Sequence, residues 1–332
     1  MSKIAIATVY NELNYGAYLQ AYALAKKLEQ KGHKVKFINI QKHRFIDYFH
    51  MIKFREPKFV LKRIMLLCNY SKCWKLLKKE SSLLDNLDVL IIGSDELWNV
   101  NNRNFLHSPV YIGKNIKAKN IITYAVSCNG CSSEDFLGTY GQNPFDTINY
   151  IGVRDLATKD LVSKLSSKIP VITPDPTFLI DWEKNKISDM NKEKYLLIYG
   201  FWFSEKERKM IRDLAEKNQW SLFSAGFQHD WVDKNLVGGP LEFPDYIEKA
   251  QFVVSATFHG TVFSIIKHKQ FAVFSHGSNK IQNIINDFGL NAIMDKNNLD
   301  DVISYEFDYD EINKKINILR KDADDYFEIA GI

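Results

Sequence analysis

Short apolar runs alternate with amphipathic stretches along most of this chain, and polar residues or glycine follow nearly every run. Ile4–Val9 is such a run, Ala17–Lys31 has apolar residues at helical spacing, and His33–Ile40 is the next run. Gly32 stands where helix C-termini favour glycine. This order predicts a βαβ unit of parallel strands, with its binding loop at Asn11–Gly16.

The same alternation continues in two blocks. Four further strands are predicted in the first block: Leu87–Ile92, Asn120–Ser127, Tyr150–Arg154 and Val171–Pro174. Strands and helices alternate again from Tyr195 onward, and the charged stretch Trp182–Lys194 between the blocks lacks an apolar period. We therefore predict two Rossmann-like α/β domains, 1–181 and 182–332, which face a cleft. A last helix at Asp310–Phe327 is expected to return to the first domain.

Composition restricts the class of protein. The chain has 332 residues, of which 45% are hydrophobic and 25% charged, and this is typical of a soluble protein with two domains. A net charge of +4 does not by itself indicate nucleic acid. Met1–Lys3 leads directly into a strand, and no apolar run approaches the roughly 20 residues that span a bilayer. We expect a cytoplasmic protein without a signal peptide.

Two patterns with known chemistry are incomplete. The loop Asn11–Gly16 contains one glycine, so the G-x-G-x-x-G fingerprint of dinucleotide binding is absent. Cys128 and Cys131 have C-x-x-C spacing, and with Cys68 and Cys73 they could form a zinc site. The pair lacks the helix-start setting of a redox motif, and cytosolic disulfides are rare. We expect reduced cysteines without a chemical role, no metal and no cofactor.

The segment Lys42–Lys79 is rich in lysine and arginine, with aromatic and apolar residues between them. It is interpreted as a basic helical insertion (42–80), and three roles remain open. A solvated helical face is the default. Contact with an anionic membrane or a lipid-linked substrate is the second, and it would place the protein at the inner face of the membrane. Nucleic acid is the third, although no recognised binding module accompanies the charge.

Val253–Gly260 is typical of a buried strand that ends in histidine and glycine before an apolar helix. His259 would then lie at the carboxyl end of a strand, where open α/β sheets bind ligands. Histidine is also the side chain best suited to transfer a proton near neutral pH. The alternative is a histidine that caps a helix or fills a gap.

A second polar strand end lies at Gly93–Asn99. Asp95 and Asn99 can form hydrogen bonds with hydroxyl groups, and Trp98 can stack on a sugar ring. The alternative is a helix cap made by Ser94 or Asp95. Because two such strand ends coincide, we predict a ligand site at this edge.

Several short segments together resemble the polysaccharide pyruvyl transferase family. They keep the family's order and cover most of the chain: Asn14–Leu24, Gly93–Asn99, Val153–Asp155, Asp175–Thr177, Thr257–Gly260, and Lys280 ahead of Phe288–Leu290. The resemblance implies a two-lobed fold like that of the GT-B glycosyltransferases. It also implies transfer of the enolpyruvyl unit of phosphoenolpyruvate to a nucleotide- or lipid-linked sugar of a cell-surface polysaccharide precursor. The product would be a cyclic pyruvate ketal, and phosphate would leave.

The resemblance assigns His259 as the general acid, which protonates the methylene carbon of phosphoenolpyruvate. The carboxylate and phosphate of this donor need cations, and guanidinium groups bind both in a bidentate way. Arg154 lies at a strand end, and Lys280 lies at a helix start after Ser278, where backbone amides suit phosphate. The predicted donor site comprises Arg154, Gly260, Ser278 and Lys280. The alternatives are an ion pair of Arg154 with its neighbours and plain surface exposure of Lys280.

The predicted acceptor site draws on the two polar loops: Asn14, Tyr15, Gly16, Ser94, Asp95, Trp98 and Asn99. Two positions depart from the family pattern. Thr257 stands where some members carry arginine, and Glu96 stands where glutamine is frequent. Because an acid would repel the anionic donor, we expect Glu96 to face the acceptor. A glycosyltransferase that uses a nucleotide sugar and a non-catalytic carbohydrate-binding protein remain as alternatives.

Overall fold

A computed structural model of the chain describes residues 1–38, 40, 52, 56–77, 79–80, 87–102, 106–182 and 193–332. Much of the predicted basic insertion, residues 41–51, 53–55 and 78, lies outside these described residues. The part built on the sheet that begins the chain is called the first lobe below, and the part built on the later sheet is called the second lobe.

In the described residues, the sheet of the first lobe has seven parallel strands in the order β3-β2-β1-β4-β5-β6-β7. These are β1 (Lys3–Ala7), β2 (Lys34–Ile38), β3 (Lys79–Glu80), β4 (Leu87–Asp95), β5 (Ala118–Val126), β6 (Tyr150–Val153) and β7 (Val171–Ile172). Ile4 of β1 pairs with Val35 of β2 on one side and with Val89 of β4 on the other. The strand order thus reverses at β1, and ligands of such sheets bind in the crevice at this point.

The helices of the first lobe are α1 (Tyr15–Gln30), α2 (Pro57–Leu76), α3 (Ser133–Tyr140) and α4 (Leu156–Leu165). Asn14 starts α1, because its side-chain oxygen accepts hydrogen bonds from the backbone N–H groups of Gly16 and Ala17. Asp155 starts α4 in the same way, with Thr158 as the donor. Helix α4 begins directly after β6, whereas α1 follows β1 through the loop that ends at Asn14.

The sheet of the second lobe has five parallel strands in the order β10-β9-β8-β11-β12. They are β8 (Tyr195–Tyr199), β9 (Ser221–Ala225), β10 (Lys234–Leu236), β11 (Phe252–Ser255) and β12 (Phe271–Val273). Every residue of β8 is buried, as is typical of a parallel strand covered on both faces. The order reverses at β8, so the second lobe also has a crevice at the carboxyl ends of its strands.

The helices of the second lobe are α5 (Glu205–Lys217), α6 (Phe243–Lys249), α7 (Phe258–Ile266), α8 (Asn279–Phe288), α9 (Asp300–Ile303) and α10 (Tyr309–Ile329). The two parallel sheets confirm the predicted α/β fold class. Helix α7 begins at Phe258, two residues before its predicted start at Gly260, so His259 lies inside the first turn. The sequence did not predict α3 and β10, because elements this short show no clear period.

Aromatic side chains join the two lobes. Tyr15 stacks on Tyr70 of α2 and on Tyr199 of β8, with ring centroids 5.4 Å and 6.1 Å apart. Its hydroxyl donates a hydrogen bond to the carbonyl of Gly238 at 2.7 Å. One continuous apolar cluster contains residues of both sheets. The N-terminus of α1 is therefore held against the second lobe.

The last helix, α10, packs on the first lobe. Tyr326 donates a hydrogen bond to the carbonyl of Thr123 at 2.6 Å, and Asp324 pairs with Lys27 at 2.9 Å. Near the middle of the helix, Arg320 donates to the carbonyl of Phe178 at 2.8 Å. The domain boundary predicted at 181/182 stays a prediction, because residues 183–192 are outside the described ranges.

Candidate active site

The carboxyl ends of strands from both lobes face one cavity of about 190 Å³. Ten residues line it: Asn14, Asp95, Glu96, Arg154, Tyr199, Phe227, Thr257, Phe258, His259 and Lys280. A neighbouring cavity of about 460 Å³ shares Arg154, Phe258 and Lys280 with it. The two crevices expected from the strand order therefore meet in a single cleft.

His259 lies in the first turn of α7, which Thr257 starts by accepting a hydrogen bond from the N–H of Gly260 at 3.0 Å. Its ring reaches across the gap between the lobes and lies against Gly16 of α1. The contact is so close that a Cβ at Gly16 would overlap Nδ1 of the imidazole. The other ring nitrogen, Nε2, lies 3.6 Å from Oδ2 of Asp175. This nitrogen is buried and makes no hydrogen bond with the described residues.

Asp175 is a fully buried carboxylate that contacts two residues of the cavity. Its Oδ1 accepts hydrogen bonds from the N–H and the hydroxyl of Thr177, at 3.0 and 2.7 Å. Its Oδ2 accepts from Nη1 of Arg154 at 3.4 Å. Burial opposes ionisation, but His259, Arg154 and Thr177 outweigh it and hold the pKa of Asp175 well below its ordinary value. Asp175 therefore stays ionised, and its negative charge faces Nε2 of His259.

Arg154 follows β6, and only 8% of its side chain is exposed. Beyond Asp175, its Nη2 lies 3.8 Å from Oδ1 of Asp95, and its guanidinium lies 5.3 Å from the ring centre of Phe258. Arg154 thus forms ion pairs with Asp95 and Asp175 and also lines the cavity. A guanidinium has five N–H donors, so these contacts leave donors for an anion in the cavity.

Lys280 lies in the first turn of α8, and its Nζ contacts Oε1 of Glu96 from the first lobe. Burial lowers the pKa of Lys280 to about 8, although the charge of Asp95 opposes this. Asn99 holds the other carboxylate oxygen of Glu96 with a hydrogen bond of 2.7 Å. The interpretation of Lys280 as a plain surface residue is therefore wrong. Glu96 faces the lysine that was predicted to bind the donor, contrary to the expectation that it faces the acceptor.

Four helices begin beside the cleft. They are α1 after Asn14, α4 after Asp155, α7 after Thr257 and α8 after Ser278. The side chain of Ser278 makes no capping hydrogen bond, so its hydroxyl is not used in starting α8. Helix N-termini carry partial positive charge and unpaired N–H groups, which favour anions. The cleft is therefore suited to an anion despite its carboxylates.

Three predicted acceptor residues lie in the core, and their prediction was wrong. Trp98 is fully buried, and its Nε1 donates to the carbonyl of Tyr111 at 2.8 Å. Ser94 is also fully buried, with its hydroxyl against Gln20, because β4 extends three residues beyond its predicted end. Tyr15 is enclosed by the stack between the lobes.

The remaining predicted residues contribute in different ways. Asn14 and Asp95 line the cavity, whereas Asn99 is mostly buried and acts through Glu96. Gly16 supports His259 instead of binding a ligand by itself. Gly260 is buried inside α7, where its Cα faces Ser255 and Tyr199. The Cα therefore cannot make the predicted contact with the donor.

Sequence reasoning missed Tyr199 and Phe227 of the lining and assigned no role to Asp175. Both aromatic residues lie at or just after strand ends of the second lobe, which is the signal that could have found them. Cys128 and Cys131 are buried free thiols. In the described parts of the chain, no group of three or more His, Cys, Asp or Glu residues is placed to hold a metal.

The arrangement of two lobes around a cleft defines a GT-B-like fold, and solved structures bear this out. An Arabidopsis thaliana UGT complexed with UDP matches with a TM-score of 0.52 and 8% identity, covering 99% of this chain and 98% of that chain. The UDP-GlcNAc 2-epimerase from Neisseria meningitidis bound to UDP-GlcNAc matches with a TM-score of 0.51 and 11% identity, covering 97% and 94%. At these identities the likeness shows the fold alone.

The sequence defines the family more closely. The polysaccharide pyruvyl transferase profile matches residues 14–279, and the chain therefore belongs to the polysaccharide pyruvyl transferase family. The matched range begins at Asn14 and includes Arg154, Asp175 and His259. No curated protein sequence matches the chain. Membership supports a transferase of polysaccharide biosynthesis.

We expect Gly16→Ala to displace the imidazole of His259, because the new Cβ would overlap Nδ1. A shift of about 1 Å in a reacting group lowers kcat roughly 100-fold. Alanine suits a helix interior, so the fold should persist. Gly138→Ala in α3 is the matched control, since open space surrounds that position. Measurement of kcat and of the thermal midpoint for both variants tests this, and equal kcat values would contradict it.

Proposed function

We propose that the protein transfers the enolpyruvyl unit of phosphoenolpyruvate to a sugar of a cell-surface polysaccharide precursor and closes it to a pyruvate ketal. The observation that carries this proposal is the meeting of His259, Arg154 and Lys280 in one cavity. A proton donor and two cations are what an anionic enol phosphate requires. Membership of the family supports the same reaction.

In the proposed reaction, His259 gives a proton to the methylene carbon of the donor, and the adjacent carbon becomes oxocarbenium-like. One sugar hydroxyl adds to that carbon, and the bond to the phosphate oxygen breaks. A second hydroxyl then adds to the same carbon and closes the ketal ring. Of the two hydroxyl protons, one restores His259 and the other leaves with phosphate. The ionised Asp175 orients the ring through Nε2, at 3.6 Å.

The charges of the cleft set conditions on donor binding. Among the described residues, six carboxylates line the two cavities beside the cations Arg154 and Lys280: Asp95, Glu96, Asp155, Asp175, Asp287 and Asp322. A donor phosphate would therefore compete with Glu96 for Lys280, and it would gain the N-terminal amides of α8 and the hydroxyl of Ser278, which makes no capping hydrogen bond. The donor carboxylate would use the remaining N–H groups of Arg154.

The acceptor is proposed to be a nucleotide- or lipid-linked sugar. Two solved structures that share the fold, with TM-scores of 0.52 and 0.51, hold UDP and UDP-GlcNAc. A glycosyltransferase that uses a nucleotide sugar would share this fold, so the products must separate the two reactions. Free phosphate and a ketal identify the first reaction, and a nucleoside diphosphate identifies the second.

We expect phosphate release from phosphoenolpyruvate only when a sugar acceptor is present, and His259→Ala should lower kcat by about 10²–10⁴-fold, the usual share of a general acid. His268→Ala is the matched control, because His268 is exposed and its ring contacts Asn313 and Tyr309, which do not line the cavity. Phosphate release that survives His259→Ala would contradict the acid role. Consumption of nucleotide sugars with release of nucleoside diphosphate, in place of phosphate release, would overturn the reaction.

Donor affinity should weaken as the pH rises through about 8, because burial places the pKa of Lys280 there and only its protonated form attracts phosphate. Below that pH the ammonium is present, and above it the charge is lost, so KM for phosphoenolpyruvate should rise. Lys280→Arg keeps its charge at all these pH values and should remove the rise. A KM that stays constant from pH 7 to pH 9 in the natural protein would contradict the role of Lys280.

A membrane contact was predicted for Lys42–Lys79, and we propose that the outer face of α2 makes it. This contact would bring the cleft close to a lipid-linked acceptor. Exposed side chains of α2 are basic or apolar: Lys58, Leu61, Ile64, Met65, Lys72, Lys75 and Leu76. No helix in the described ranges is long and apolar enough to span a bilayer. Such a face could bind the surface of an anionic membrane.

Sedimentation with lipid vesicles tests this contact. The protein should pellet with vesicles that contain anionic lipid, and Lys72→Glu together with Lys75→Glu should reduce pelleting, because each basic residue near the surface contributes about 1 kcal/mol. Neutral vesicles and added salt serve as controls. Pelleting that is equal with neutral and anionic vesicles, or is unchanged by the charge reversal, would contradict the contact.

A further inference from the structure

Two adjacent aromatic side chains are exposed directly after β8. Phe201 is 74% exposed and Trp202 is 53% exposed. The backbone beneath them is held, since Phe203 is buried and the carbonyl of Gly200 accepts a hydrogen bond from Nε2 of His229 at 2.9 Å. Single exposed aromatic residues are common on soluble proteins, so the meaning of this pair depends on where it lies.

The pair lies at the rim of the candidate active site. The ring of Phe201 is 6.3 Å from that of Phe227, which lines the cavity together with His259. The ring of Trp202 is 5.2 Å from that of His276, in the loop that leads to α8 and Lys280. β8 is also the strand at which the order of the second sheet reverses, so its end faces the ligand crevice.

The chemistry of this rim fits a sugar ring. Aromatic faces bind apolar surfaces, and one face of a pyranose presents mainly C–H groups while its hydroxyls point outward from the edge. Polar groups for such hydroxyls lie beside Trp202, where Nε2 of His276 is 3.0 Å from Oε1 of Glu207. Binding sites for small molecules commonly combine aromatic walls with a few polar groups of this kind.

We propose that Trp202 and Phe201 form the subsite on which the sugar ring of the acceptor stacks. This inference rests on the proposed function, from which the sugar acceptor follows. It assigns the selection of that acceptor to a surface of the second lobe. The stacking role predicted for Trp98 cannot be filled there, because Trp98 is fully buried. A ring on Trp202 would lie beside the loop that begins α8, and its hydroxyls could be directed toward the donor held near Lys280.

The test is a ligand-observed NMR titration of the full chain without donor. The probes are the methyl glycosides of glucose, galactose, N-acetylglucosamine and N-acetylmannosamine. Trp202→Ala should weaken the binding of at least one glycoside about tenfold, and Trp202→Phe should weaken it less, because an aromatic face remains. Tyr150→Ala is the matched control, since Tyr150 is 40% exposed at the amino end of β6, away from the cleft. Affinity for phosphoenolpyruvate, titrated separately, should be the same in all of these variants.

Each other outcome overturns the inference. Unchanged glycoside binding in the double variant Trp202→Ala and Phe201→Ala would show that the rings bind no sugar, as would absence of glycoside binding by the natural protein. An equal loss of phosphoenolpyruvate affinity would show that the variants disturb the shared cavity. Loss of uridine monophosphate binding alone would assign the rings to a nucleobase. Because sugar binding is measured without turnover, absence of phosphate release would overturn only the proposed function.

Discussion

The buried carboxylate of Asp175 is the group on which the candidate site depends. It stands between the sheets and contacts Arg154 of the first lobe and His259 of the second. Removal of its charge would leave Arg154 buried, with Asp95 at 3.8 Å as its remaining ion-pair partner among the described residues, and breaking a buried pair in this way costs roughly 3–5 kcal/mol. The hydrogen bonds from Thr177 hold Asp175 in place. A cation and a proton carrier from different lobes are therefore positioned by one side chain.

This arrangement works only if the lobes stay close, and three other contacts across the gap keep them so. The ring of Tyr15 is stacked between Tyr70 and Tyr199, so the start of α1 cannot move far from β8. One residue further along, Gly16 has no side chain, and the imidazole of His259 occupies the space that a Cβ would take. The ion pair of Glu96 with Lys280 crosses the same gap at its open side. The proposed binding of a donor phosphate there would exchange one partner of Lys280 for another and would not require the stack to open.

Much of the fold could be predicted from the sequence, because buried parallel strands consist of runs of apolar residues that are recognisable in the sequence. Strands β4, β6 and β7 begin at the predicted residues Leu87, Tyr150 and Val171, and His259 and Arg154 line the cavity. Position relative to a strand end does not tell which way a side chain points. Trp98 shares a loop with Asp95, yet it turns into the core while Asp95 lines the cavity.

Contacts between distant parts of the chain could not be predicted from the sequence either. The roles of Gly16 and Tyr15 depend on residues more than two hundred positions away, and no local pattern indicates them. The partner of Glu96 could not be inferred for the same reason, since Lys280 belongs to the other lobe. Asp175 was recognised as part of a family motif, but its role became visible only through its contacts with Arg154 and His259.

The central claim is that His259 adds a proton to the methylene carbon of phosphoenolpyruvate. The most direct measurement is the reaction in deuterium oxide, followed by NMR and mass analysis of the sugar product. Since the imidazole proton exchanges with solvent, we expect a ketal whose methyl group carries one solvent deuterium, formed far more slowly by His259→Ala. A product that keeps the vinyl CH₂ group, or a ketal methyl group without deuterium, would contradict it.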